Sequence, residues 1–243
     1  MRLVAEHNPA GEQPFAILHI PHSSLLFPPD IRPTLTLSDA ELAAELLRMT
    51  DLYTNELFRL DTAIAKYLVF PFSRLVVDPE RFREDENEPM SEVGMGAVYT
   101  SRADGKPLRG SLTPDTREYL LSRFYDPHHQ ALSAVADSAL GQWNACLIID
   151  CHSFPSGPLP CDRDQSPDRP DICLGTDPFH TPPWLAAMAK STLEEAFEAG
   201  NAPVKIEENK PLSGTIVPAS CRNQDARVWS IMIQVNRALY MDE

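Results

Sequence analysis

A single α/β domain over residues 1–243, with a mixed but mostly parallel central sheet flanked by helices, is the fold class this sequence predicts. Three observations carry that expectation. Short apolar runs bounded by turn residues alternate with longer segments of helical periodicity, which is the order of an α/β chain. A length of 243 residues suffices to bury one substantial core. A hydrophobic content of 43% with 23% charged residues is that of an ordinary globular protein.

The elements follow in order. Phe15-Ala16-Ile17-Leu18-His19-Ile20 reads as a buried strand stopped by Pro21. Ser38 and Glu41 make a capping box, after which Leu42, Leu46, Met49, Tyr53, Leu57 and Leu60 recur at helical spacing. If that helix is continuous, Asp51 projects from its far side. If it breaks near Met49, Thr50 becomes a new N-cap and Asp51 joins a first turn. The residues leave both open. Strands are expected at 67–70 and 75–77, the second opening into Asp78-Pro79-Glu80-Arg81. Residues 84–112 are polar, carry four glycines and read as an extended excursion.

Thr113-Pro114 starts a helix as N-cap and first helical residue. It runs toward Phe124, is interrupted at Pro127 and resumes through Leu140 to Gly141. The run 145–149 is a strand ending at Asp150, and 171–174 is a short strand. Residues 182–199 form a helix stopped by Gly200, and 228–235 is the last strand. Prolines gather around 21–33, 155–183 and 203–218, where they fix φ and remove donors, so these stretches are long ordered loops.

The net charge of −14 disfavours nucleic acid, since phosphate neutralisation needs clustered Lys and Arg. No run approaches the roughly 20 apolar residues of a membrane span. Met1 through Pro9 lacks the apolar stretch of a signal peptide. Five cysteines, an odd count without zinc-ribbon spacing, read as reduced thiols. A cytoplasmic protein acting on a small molecule, its oligomeric state unassigned, is the expectation.

His22 and His152 each follow a short apolar run. Ligands of open α/β sheets collect beyond the carboxyl ends of the strands. If those two strands are adjacent and parallel, the histidines converge on one point. Two neutral imidazoles and a carboxylate, with one position open, are the ligand set of a hydrolytic zinc. A lone histidine after a strand equally fits a hydrogen-bonded structural role, so the pairing carries the expectation. His128-His129, after the helix interruption, also fits a solvated helix face. Arg74, Arg81 and Arg222 are placed in loops where a guanidinium can clamp a carboxylate. Asp78 and Arg81 also read as a local ion pair. The turn Asn209-Lys210-Pro211-Leu212-Ser213-Gly214-Thr215 lets backbone approach a ligand around Asn209 and Gly214.

Five segments in this order resemble the N-formylglutamate amidohydrolase family, whose architecture is similar to that of zinc metallocarboxypeptidases. They are His19-Ile20-Pro21-His22-Ser23-Ser24, Ser73-Arg74-Leu75-Val76-Val77-Asp78-Pro79-Glu80-Arg81, Tyr125-Asp126-Pro127-His128-His129, Asp150-Cys151-His152-Ser153, and Asn236-Arg237-Ala238-Leu239-Tyr240-Met241-Asp242-Glu243. The resemblance implies a phosphorylase/hydrolase-like fold and one zinc ion on His22 and His152. Thr50-Asp51 resembles a family Thr-Asp pair, which makes Asp51 the implied third ligand. Asp78 through Arg81 resembles the carboxypeptidase segment that binds the substrate carboxylate. The implied reaction removes the formyl or another acyl group from a small acidic amino acid such as N-formyl-L-glutamate, a step of histidine degradation. An arginine, for which Arg74 is the candidate, would stabilise the oxyanion beside the metal.

Two departures stand out. Glu80 occupies a position where the family usually has asparagine, and Gln234 one where it typically has glutamate. By analogy with metallocarboxypeptidases that glutamate would be the general base. An amide orients water but takes no proton. Either His129 or a loop carboxylate then serves, or the chain is an impaired homologue that binds ligand. A hydrolase of another N-acyl amino acid or a short peptide is the further alternative.

Overall fold

In a computed structural model, which describes residues 15–61 and 63–243, six strands form one mixed sheet. Met1 through Pro9 lies outside the described residues. The strands are β1 (Ala16–Ile20), β2 (Ala65–Val69), β3 (Cys146–Phe154), β4 (Ile172–Gly175), β5 (Ile206–Glu208) and β6 (Val228–Asn236), in the spatial order β2-β1-β3-β6-β4-β5. β2, β1, β3 and β6 are mutually parallel, while β4 runs antiparallel to β6 and carries β5 parallel to itself. β1 and β3 are therefore parallel neighbours, the condition for the two histidines to meet.

Helices α1 (Asp39–Met49), α2 (Thr54–Leu57), α3 (Pro114–Leu120), α4 (Asp126–Trp143) and α5 (Pro183–Ala199) connect the strands. α1 starts on the expected capping box, with Ser38 accepting from Glu41 N and the Glu41 carboxylate accepting from Ser38 N. Thr113 caps α3 ahead of Pro114. Successive strand residues face opposite sides, so Ile17, Cys146, Ile148 and Val228 share one side and pack on Leu132, Val135, Ala136 and Ala139 of α4. Ile231, Ile172 and Leu174 pack with Leu185 of α5. Toward the carboxyl ends of the strands the side covered by α4 turns polar, with His19, Asp150, His152 and Gln234 following that apolar layer.

Several expectations are corrected. Residues 75–77 form no strand; they turn, and Arg109 donates to the carbonyls of Leu75 and Val76 where a strand partner would stand. β3 continues past Asp150 to Phe154 because β6 pairs with it as far as Asn236, so His152 lies within the strand and not after it. α3 and α4 are joined by a π-helical turn over Leu121–Tyr125, and Pro127 sits in the first turn of α4, where its missing donor costs nothing. The excursion at 84–112 buries Met95, Ala97, Tyr99 and Leu108 in a satellite core. Gly200 keeps a negative φ, and Asn201 takes the left-handed conformation after α5. β5 has no apolar run to announce it; it is a short edge strand paired only with β4. Among the described residues no helix is long and apolar enough to cross a membrane.

Candidate metal and substrate site

α1 ends at Met49, and Thr50 closes it in extended conformation, so Thr50 is a C-cap and not a new N-cap. The next residue, Asp51, donates its N–H to the carbonyl of His22 at 2.9 Å. The helix break thus turns Asp51 toward the end of β1. His22 and His152 meet there with ring centroids 5.0 Å apart. Asp51 Oδ2 lies 3.0 Å from His152 Nδ1 and 3.6 Å from His22 Nδ1. All three residues are buried.

The far nitrogen of each ring is held by a carboxylate. His22 Nε2–H donates to Asp78 Oδ1 at 2.8 Å, and His152 Nε2–H donates to Asp150 Oδ1 at 3.0 Å. When both rings are neutral, those bonds fix the tautomer that leaves the Nδ1 lone pairs facing Asp51, as in carboxylate–histidine–metal arrangements. His22 Nδ1 is buried and has no hydrogen-bond partner. Two lone pairs and a carboxylate oxygen aimed at one point repel one another unless a positive charge sits between them. The three donors therefore fit a divalent cation of the zinc type. Burial alone would lower the His152 pKa, but with no cation at the site Asp150 and Asp51 outweigh it and raise it well above its ordinary range, so a bound cation would take the place of a proton on Nδ1. Burial likewise opposes the Asp51 charge, and the hydrogen bond with His152 together with the adjacent His22 ring brings its carboxyl far below the usual value.

Strand register explains the next layer of residues. His19 on β1 stands opposite Asp150 on β3, and its Nδ1–H donates to Asp150 Oδ1 at 2.9 Å. His19 Nε2–H donates to His128 Nε2 at 2.8 Å. Despite complete burial, Asp150 and Glu80 push the His19 pKa up to about 9. Burial and the neighbouring His19 charge keep His128 neutral, well below the usual range. Arg237 donates to Asp51 Oδ1 at 3.2 Å and to Arg48 O at 3.0 Å, so it fixes the carboxylate from behind.

The three donors open onto a cavity of about 1120 Å³. Arg81 and Arg222 both line it. Arg81 Nε is buried without a hydrogen-bond partner and lies 3.5 Å from Asp78 Oδ2. Arg222 stacks over Phe82 at 4.8 Å. Arg74 also borders the cavity, but its Nη2 is given to Asp78 at 2.7 Å and its Nε to the Tyr99 hydroxyl at 3.0 Å. Asp78 has no exposed surface and its oxygens serve His22, Arg74, Tyr99 and Glu80 N, so it supports the site from behind and touches no ligand. Gly214 lines the cavity at φ +88°, a conformation natural to glycine. Asn209 does not reach it; its exposed side chain is spent on Thr176, where the chain leaves the parallel strands β5 and β4.

Gln234 stands opposite His152 in register, 6% exposed, with Nε2 directed at Met232 Sδ and Oε1 buried without a donor. His129 donates Nε2–H to the carbonyl of Pro79 at 2.9 Å and stacks on Tyr125. Burial and the nearby His19 charge bring its pKa down to about 4. His19, Asp150 and Arg237 appear in the sequence only inside longer motifs. The signal that singles out the first two is position: both carry polarity on a strand side that is otherwise apolar.

The family model described as N-formylglutamate amidohydrolase matches residues 15–241. The chain belongs to this family. A crystal structure of an N-formylglutamate amidohydrolase from Ralstonia eutropha is similar to this amidohydrolase-family chain, with a TM-score of 0.80 at 22% identity, over 96% of this chain and 86% of the other. A gene product of Agrobacterium tumefaciens is similar with a TM-score of 0.66 at 18% identity, over 95% and 84%. At such identities the likeness is one of fold. No curated protein matches the chain significantly.

Proposed function

We propose that this member of the N-formylglutamate amidohydrolase family is a zinc-dependent hydrolase that removes the N-formyl group of a small acidic amino acid such as N-formyl-L-glutamate. The observation that carries the reading is the convergence of His22 Nδ1, Asp51 Oδ2 and His152 Nδ1, with the distal imidazole nitrogens held by Asp78 and Asp150. A zinc ion held by those three would polarise the acyl carbonyl and acidify a bound water toward a pKa of about 7. The chain's own groups do the rest. Arg81, with Arg222 across Phe82, offers guanidinium donors to the substrate carboxylate. Arg74 balances the charge of Asp78 and the Tyr99 hydroxyl donates to it, which would hold Asp78 in place against His22. The cavity volume of about 1120 Å³, above the usual range of small-molecule sites, favours as a second reading a longer N-acyl group or a short peptide on the same machinery. Five free thiols support a reducing, cytoplasmic setting for a single-domain enzyme.

Elemental analysis of the purified protein tests the metal directly. One zinc per chain is expected in the parent, and loss of it in His22→Ala and in His152→Ala. Stoichiometric zinc surviving both substitutions contradicts the site.

A further inference from the structure

We propose that Gln234 reads the amide N–H of the substrate, so that the site selects acylated primary amines and disfavours amides whose nitrogen carries no hydrogen; this rests on the amidohydrolase reading above. A substrate of that reading is made almost wholly of acceptors. At neutral pH its acyl carbonyl and its carboxylates only accept, and the amide N–H is the single donor it offers.

Gln234 supplies the matching acceptor. The β6 register sets it opposite His152. Paired positions on neighbouring strands project to the same side, about 4.8 Å apart, so the amide rises beside a proposed metal ligand and lines the same cavity. The side chain is buried, and its Oε1 has no hydrogen-bond donor in the protein. An amide oxygen removed from water in that state is costly unless something supplies a donor.

The orientation of the amide is set by its neighbour on the strand. Met232 lies two residues earlier on the same side of β6, and its Sδ accepts from Gln234 Nε2 at 3.1 Å. Turning the amide over would bring its oxygen against the thioether sulfur, with two acceptors facing each other. Oε1 is therefore the atom left for a ligand.

The carboxylates around it are answered within the protein. Asp51 gives its oxygens to Arg237 and His152, and Glu80 pairs with His19 at 3.2 Å. Farther out, Asp126 is held by Arg83, and Glu88 accepts from the N–H groups of Phe82 and Met90. An amide also suits the charge of the site. A carboxylate at 234 would accept the same N–H, but it would add a negative charge near Asp51 against a substrate that is itself an anion. A site built around a buried acceptor discriminates against the analogue that leaves it unpaired.

The test compares ligands with and without the donor, on the zinc-loaded full chain. N-formyl-L-glutamate should be hydrolysed with a kcat/KM about 10-fold or more above that of N-formyl-N-methyl-L-glutamate. By calorimetry, glutamate should bind more tightly than glutarate, which keeps both carboxylates and lacks the nitrogen. In Gln234→Met, which keeps the length of the side chain and removes the acceptor, both ratios should shrink by about 10-fold. Zinc content should stay at one per chain. Gln234→Glu, which keeps an acceptor, should keep the preference for the N–H ligands. Ratios in Gln234→Met equal to those of the parent overturn the proposal, since the preference would then be steric or set elsewhere. A parent that binds glutarate as tightly as glutamate overturns it without any variant. A zinc-loaded parent that releases no formate from N-formyl-L-glutamate overturns the amidohydrolase reading and this one with it, so the parent's own rate separates the two failures.

Discussion

Arg81 and Arg74 lie seven residues apart on the same loop and face the same Asp78, yet their surroundings assign them different work. Arg74 has donors directed at Asp78 and Tyr99, whereas Arg81 Nε has no hydrogen-bond partner and its side chain is a quarter exposed to the cavity. A guanidinium in that state is ready for a bidentate carboxylate, and an ammonium does not reproduce its planar fork. Arg81→Lys should therefore weaken glutamate binding by about 10-fold or more, the loss of one charge-assisted hydrogen bond. Zinc content should stay at one per chain. Calorimetry with glutamate checks this, and unchanged affinity would make Arg81 structural. At the same scale, the sequence pointed to His22, His152 and Arg81 because each is a charged or ligating type at the end of an apolar run. It did not point to Arg237 as the partner of Asp51, since 186 residues separate them and only the meeting of β6 with the end of α1 joins them. Asp78 read as a substrate contact because the segment from Asp78 to Arg81 resembles a carboxylate-binding one, but it is completely buried and bonded to His22.

Among the elements, α4 and the central strands do the positioning. α4 lays Leu132, Val135, Ala136 and Ala139 on the apolar part of the sheet, and its first turn brings His128 and His129 to the polar part. Leu132 is fully buried in that contact. Leu132→Ala should lower stability by about 2–5 kcal/mol, from lost burial plus the cavity left behind. Zinc stoichiometry at low temperature should be unchanged, because Leu132 touches none of the ligands. Denaturant unfolding with and without zinc measures both. Strands with apolar runs and helices with caps were legible at this scale. What was not legible depended on partners distant in sequence. β3 runs on through polar residues only because β6 is beside it, and 75–77 is apolar without being a strand because Arg109 takes its carbonyls. The break after Met49 was one of two open readings; Thr50 and the bond from Asp51 N to His22 O decide it.

At the scale of the whole molecule, a strongly acidic chain surrounds a cavity into which several arginines project. The net charge of −14 would oppose the approach of the proposed anionic substrate, while the local guanidiniums would hold one that has arrived. The six-stranded sheet gives this cavity its floor, with parallel β1 and β3 delivering the two histidines and β6 delivering Gln234 beside them. The sheet's parallel core was predictable from the alternation of strands and helices. Its antiparallel edge, β4 with β5, was not, since neither strand carries a signal for direction. The proposed reaction of this architecture is hydrolysis of N-formyl-L-glutamate with a zinc held by His22, Asp51 and His152. Formate release from that substrate, measured before and after removal of zinc by a chelator and again after zinc is restored, tests it most directly. Turnover should disappear with the metal and return with it; a protein that releases no formate when zinc-loaded, or releases it equally fast without metal, would contradict the proposed reaction.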